Sequence, residues 1–397
     1  MDSALTVINK KSNITVDKGI FSLFIIAFTL LYIREAFRLQ QIVELPELVD
    51  RAFYLFGIII MLLVDLMRLR GIPLNDLLIR GILLLCGVLS YLFSGDTVGL
   101  SLMVVIVGVA SVGSIDTVIS YWSLLTLLTI ASVIIFFFIE VLSGSNNVPL
   151  FFQRGVSDAQ KRLSLGFEHP NSFASLCLML IIAVWKRDSG DRVNKKAFLF
   201  YFLSIVVYFL TRSRVALLLS LFYISMRIII QKSSVVNKQV FKFRKILFLA
   251  PALLFAVTYL LAGPLYDDRL ADLFTNRVRL WHSFYLGHGL TLFGQPFESS
   301  QYVTQSGIVL FSSTLDSAYA YCLFVGGCAI GMSLIFLLIL YSKKVAQEDT
   351  WQIVGLLVVL MLGFTETTAV WIMASGPIVY VASGLMGPLR EMSGQRA

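Results

Sequence analysis

Residues 117–142 read TVISYWSLLTLLTIASVIIFFFIEVL, an apolar run interrupted by a single charged side chain, Glu140. As a helix rising about 1.5 Å per residue, it is long enough to cross the roughly 30 Å hydrocarbon core of a bilayer. Comparable runs recur along the 397 residues, near 19–33, 52–69, 77–94, 97–113, 170–185, 197–210, 215–230, 246–262, 316–340, 351–364 and 368–386. The chain is 57% hydrophobic and only 14% charged, with a mean hydropathy of +0.83, more apolar surface than one soluble core of this size could bury. These features predict an all-α polytopic membrane protein of about twelve transmembrane helices, a single integral membrane domain over 1–397. Tight turns near Asp96–Val98 and Thr365–Thr368 make the flanking helices antiparallel neighbours.

The N-terminal residues up to Lys18 are polar. The first apolar run ends at Ile33 and Arg34 without a small-residue cleavage site, so it is expected to be a retained first span. Cys86, Cys177, Cys322 and Cys328 lie in apolar runs with no metal or redox spacing and read as small packing residues.

Charge placement orients the chain. With both termini cytoplasmic, 21 of the 32 Lys and Arg fall in inner loops, giving +11 inside and −3 outside for a net charge of +8. The basic excess is thereby a topological signal and not a nucleic-acid footprint. Eight outer cations run against that bias: Arg154, Lys161, Arg162, Arg212, Arg214, Arg269, Arg277 and Arg279, on three consecutive outer loops. The longest outer segment, 263–315, places Arg277, Trp281, Phe284 and His288 on one helical face. This predicts an interfacial helix within Asp272–Phe293, ended by Gly294, Gln295 and Pro296.

Four constellations could carry chemistry. Gly166-Phe-Glu-His-Pro-Asn171 opens the sixth run. Pro170 and Asn171 suit a helix start there, while Glu168 and His169 are polar groups at the membrane surface. Thr211-Arg-Ser-Arg214 sits between two apolar runs, where guanidinium either anchors at the interface or meets phosphate oxygens. In Asn276-Arg-Val-Arg-Leu-Trp281, followed by His282, Arg277 and Arg279 are two residues apart, so at most one points into a common site. Trp281, one turn from Arg277, suits a sugar face, a lipid headgroup or simple anchoring. Asp316 and Glu366 complete the outer set as a general base, an arginine partner or a helix cap. Ionisable residues near span midplanes, a Walker A loop, HExxH, GxSxG and Cys/His metal patterns are all missing, which argues against ion-coupled transport and known cofactor motifs.

Taken in order, Gly-Phe-x-His-Pro-Asn, the Ser-Arg pair, Asn-Arg…Trp, Leu-Phe-Gly and Leu-Asp-x-x-Tyr before a Gly-rich span resemble the O-antigen polymerase and ligase family, over roughly 150–370. That family includes the Wzy-type polysaccharide polymerases. The resemblance implies a GT-C-like glycosyltransferase with a large extracytoplasmic loop, multi-pass in the cytoplasmic membrane and working on its outer face. It would use undecaprenyl-diphosphate-linked oligosaccharide as donor and acceptor, without metal, nucleotide sugar or other cofactor. A flippase and a chain-length regulator are the implied protein partners. Ligases commonly carry His-Asn where this chain has Asp316-Ser317, which favours a polymerase; a lipid A-core ligase and a twelve-span lipid-linked glycan flippase are the alternatives. On this reading Arg212, Arg214, Arg277 and Arg279 bind the diphosphate, and Asp316, His169 and Glu366 are the candidate catalytic groups. Trp281, Asn171 and His282 would contact sugar or lipid.

Overall fold

The computed structural model describes residues 18–69, 72–144, 152–153, 161–185, 191–273, 277–297, 300–303, 309–312, 315–371 and 374–386. The polar N-terminal stretch, Arg154, Asn276 and the side chains of Lys161 and His288 lie outside these described residues.

The helices are α1 (Lys18–Arg38), α2 (Glu47–Arg68), α3 (Leu74–Ser94), α4 (Val98–Val112), α5 (Ile115–Leu142), α6 (Pro170–Val184), α7 (Asp191–Thr211) and α8 (Arg214–Lys232). They continue with α9 (Ser234–Phe243), α10 (Leu249–Ala262), α11 (Asp268–Leu273), α12 (Arg277–His288), α13 (Ala318–Phe324), α14 (Cys328–Lys344) and α15 (Thr350–Leu362). Among the described residues four helices, α1, α3, α5 and α8, are long and apolar enough to cross a membrane. Ser234–Ile246 with Leu249–Ala262, bent by 56°, makes a fifth if taken as one span. These apolar helices mark a membrane protein. Their outer faces carry large apolar side chains, among them Leu142 of α5 at 85% exposure and Leu92 of α3 at 68%, which water would not favour and lipid does.

The core forms around α4, every residue of which is buried. Helices α1, α2 and α3 pack on it, as does a 3₁₀ segment, Gly376–Leu385. At Gly376 there is no room for a Cβ, because the Trp122 ring of α5 occupies that space. Within the core, Arg80 of α3 donates to Asp65 of α2 (2.7 Å) and to Ser111 Oγ (2.6 Å). Ser111 in turn donates to Asp65 (2.5 Å), and a longer bond from Arg80 reaches the Leu385 carbonyl. Three helices and the C-terminal segment are thereby pinned at one buried ion pair.

Two expectations require correction. The run at 316–340 is not one helix, since it breaks at Gly326–Gly327 between α13 and α14. Gly327 has φ +94°, and the backbone of Phe293–Gly294 lies where a Cβ would go. The run at 368–386 contains two 3₁₀ pieces, Thr367–Val370 and Gly376–Leu385, with Gly376 and Gly384 pressed against neighbouring groups. The all-α class holds, with two short antiparallel hairpins beside the helices, β1 (Phe152–Gln153) with β2 (Lys161–Arg162) and β3 (Ser300–Val303) with β4 (Val309–Ser312). The helix expected within Asp272–Phe293 is α12, shorter at both ends than the sequence pattern, and it is preceded by α11.

Removing one partner of the Asp65–Arg80 pair leaves a buried charge uncompensated, at a cost of about 3–5 kcal/mol. Asp65→Ala should therefore lower the melting temperature of detergent-purified protein by many degrees. The double variant Asp65→Ala/Arg80→Ala should melt above the sum of the two single losses. Additive losses would show that the pair is not coupled.

Candidate functional site

The segment opening α6 is held before the helix begins. Leu165 (φ +51°) and Gly166 (φ +86°) turn the chain, and Gln40 at the end of α1 pairs with Phe167 through Gln41 N–H to Gly166 O and Glu168 N–H to Leu39 O. His169 then caps α6: its Nδ1 accepts from the Asn171 amide at 3.1 Å, and Pro170 occupies the first helical turn. An accepting Nδ1 places the proton of a neutral imidazole on Nε2.

Asn171, nearly buried, is the hinge of the site. Its carbonyl oxygen accepts from Arg162 Nη2 at 2.6 Å and its amide donates to Glu366 Oε1 at 2.8 Å, a contact across 195 residues of sequence. Arg162 is only 5% exposed. Its Nε donates to the Thr211 carbonyl at 2.6 Å, and Leu163 N–H donates to Leu210 O, so the strand end at 162 is stitched to the C-terminus of α7.

From the other side Arg277, first residue of α12, donates to the Thr365 carbonyl at 2.6 Å. Its guanidinium lies between two carboxylates, 3.5 Å from Asp316 Oδ2 and 3.6 Å from Glu366 Oε1. The loops carrying these acids are bound to each other. Ser317 caps α13 and donates to Gly363 O, Ala318 N–H donates to the same carbonyl, and Thr367 Oγ1 donates to Leu315 O. A continuous polar chain results: Arg162, Asn171, Glu366, Arg277, Asp316.

Exposure is graded along this chain. The Glu366 side chain is 13% exposed and that of Asp316 is 43%. Burial pushes the Glu366 carboxyl up to about 8. The Arg277 guanidinium opposes that rise, the nearby Asp316 carboxylate adds to it, and the Asn171 amide and Arg162 also oppose it. Near neutral pH Glu366 is mostly protonated, so the two guanidiniums outweigh the remaining carboxylate and the chain is net positive.

The other residues singled out in the sequence are placed differently. Arg212, in the left-handed region at φ +55°, is exposed and lies over the rings of Tyr208 and Phe209, with its Cζ 5.4 Å from the Phe209 centroid. Arg214 is exposed at the start of α8, while Ser213 between the two is buried. Both arginines line the rim beside the Thr211 carbonyl and are not in the polar chain. Arg279 pairs with Asp268 at 3.2 Å; a hydrogen bond from Tyr266 and this guanidinium hold the Asp268 carboxyl below its usual range. His282 Nδ1 is 2.6 Å from Ala262 O and its ring stacks on Tyr266 at 3.8 Å, tying α12 to the end of α10. Trp281 is buried, edge-on to Phe364, and packs the helix without presenting a face to the site.

Beside the chain an apolar cleft of about 380 Å³ opens between α5, α6, α7 and α8. It is bordered by Ala174, one turn past Asn171, and by Tyr208 and Ser213 at the arginine rim. Among the described residues no three His, Cys, Asp or Glu side chains converge as metal ligands, and the four cysteines are free thiols.

The raised Glu366 carboxyl carries a pH signature. Between its ordinary value near 4.5 and about 8 the folded protein binds the extra proton, so the stabilisation is complete below that window and is lost as pH rises through it. The melting temperature of the wild type should fall by several degrees from pH 5 to pH 9 relative to that of Glu366→Gln, which keeps a neutral side chain throughout. Parallel curves would refute the assignment. No protein-family model, no curated protein and no solved structure matches this chain.

Proposed function

We propose that this chain is a polysaccharide polymerase of the Wzy type, joining undecaprenyl-diphosphate-linked oligosaccharide repeat units on the outer face of the cytoplasmic membrane. The observation that carries the reading is the gathering of Asn171, Arg277, Asp316 and Glu366 from four separated stretches of sequence into one chain of contacts with Arg162. Twelve spans, a GT-C-like arrangement and cytoplasmic termini belong to the same proposal.

The chemistry follows from the charges. A sugar hydroxyl of the acceptor attacks the anomeric carbon of the donor, and the bond from that carbon to the phosphate oxygen breaks with its electron pair leaving on the diphosphate. Developing negative charge on that group is stabilised by guanidiniums held at the edge of a low-dielectric region. Arg277 and Arg162 are fixed for this by the Thr365 and Thr211 carbonyls, and Arg212 and Arg214 at the exposed rim would guide the arriving headgroup. The hydroxyl proton passes to Asp316, the more exposed of the two carboxylates. Glu366, held mostly neutral, completes the hydrogen bonding of Asn171 without adding charge that would repel phosphate. The apolar cleft between α5 and α8 suits a polyprenyl tail entering from the bilayer.

Purified protein incubated with a lipid diphosphate carrying its repeat unit should yield a ladder of products. Arg277→Ala should reduce chain extension by about 10²–10³-fold, and Asp316→Asn by about 10²-fold or more, with both variants inserted at wild-type levels. Normal ladders from Arg277→Ala would sink the diphosphate assignment. Failure of the wild type to extend repeats already on its own side of a liposome would reject polymerisation.

A further inference from the structure

Helix α9 and the 3₁₀ turn after it, Ser234–Ile246, carry a two-sided pattern that the polymerase reading does not use. No Asp or Glu occurs between Asp191 and Asp267, so every charge on this segment is positive. At about 100° per residue Lys238, Lys242 and Lys245 share one flank, while Val235, Phe243 and Ile246 share the adjacent one. All six are exposed. The opposite side faces the protein: Leu247 is fully buried and α9 packs on α8 and α15. Arg244 is drawn inward, donating to the Val345 carbonyl at 2.7 Å with its guanidinium 3.7 Å from the Phe241 centroid. The basic arc left outside is therefore made by the lysines.

Position fixes what this arc can meet. Helix α8 begins beside the arginine rim and at 19 residues spans about 28 Å, so α9, one residue beyond its end, lies at the opposite bilayer face. There the chain bends by 56° before α10 re-enters the apolar layer. A segment bent by 56° from the apolar helix that follows it, with adjacent basic and apolar flanks, is built to lie at headgroup depth.

We infer that Ser234–Ile246 is a seat for anionic phospholipid headgroups, the lysine flank holding the phosphates while Val235, Phe243 and Ile246 rest among the acyl chains. One lysine near a charged membrane surface contributes about a fivefold preference. The test uses the full chain in lipid nanodiscs containing photoreactive phosphatidylglycerol or photoreactive phosphatidylcholine, with cross-links mapped by mass spectrometry. Labelling within 232–249 should favour phosphatidylglycerol at least fivefold at low salt and approach parity at molar salt. Lys238→Gln/Lys242→Gln/Lys245→Gln should lose at least tenfold of that labelling while cross-links on the lipid face of α5 stay unchanged, which shows the variant to be folded. Equal labelling by the two lipids, a triple variant that keeps the preference, or loss of labelling on adding inorganic phosphate would each overturn the inference.

Discussion

A backbone buried away from water has no solvent to bond, so each N–H or C=O released from a helix must find a partner within the protein. The interruption between α13 and α14 shows how this is met. Ser90 donates to Gly326 O and Gln295 donates through its backbone to Val325 O and through its side chain to Phe324 O, while Thr291 and Leu292 accept from Cys328 and Ala329. The segment ending in Gly294 thus serves as the missing turn. Because α13 is fixed this way, Ser317 and Asp316 just before it are fixed too, and with them one end of the polar chain.

The same economy governs the charges. Arg277 faces two carboxylates and reaches only ion-pair distance from each, its short bond going to a carbonyl. One cation facing two anions would be poorly balanced, and protonation of the more buried Glu366 resolves it. Arg162, similarly, spends its short bonds on neutral acceptors, the Thr211 carbonyl and the Asn171 amide. Neutral acceptors satisfy guanidinium geometry without cancelling its charge, which leaves positive potential at the site.

What could be read from sequence divides along the same line. The long apolar helices were legible because composition alone decides them, α5 above all, whereas pairing with an arginine was one of three roles open to Asp316 and Glu366, beside general base and helix cap, and only the folded chain selects Arg277 as their partner. The break at 326–327 was not legible, because it depends on residues near 293 filling the space a side chain would take. Arg162 stood among the eight outer cations, yet only the pairing of 162–163 with 210–211, invisible to local pattern, turns it inward. That pairing, with the left-handed Arg212, leaves Arg212 and Arg214 outside. Trp281 sits at the helical spacing of a site aromatic, but a periodic pattern does not tell which face meets Phe364.

The completely buried helix α4 has a further consequence, for the order in which the protein can be built. One of the surfaces that covers it, Gly376–Leu385, is synthesised more than two hundred residues later. Until then that side of α4 must be shielded by lipid or by the membrane-insertion machinery, and Trp122 has no glycine to receive it. Final packing of the core, and with it closure of the Arg80 network on Leu385, becomes a late event in biogenesis, so a nascent chain arrested before residue 376 would be inserted but unfinished.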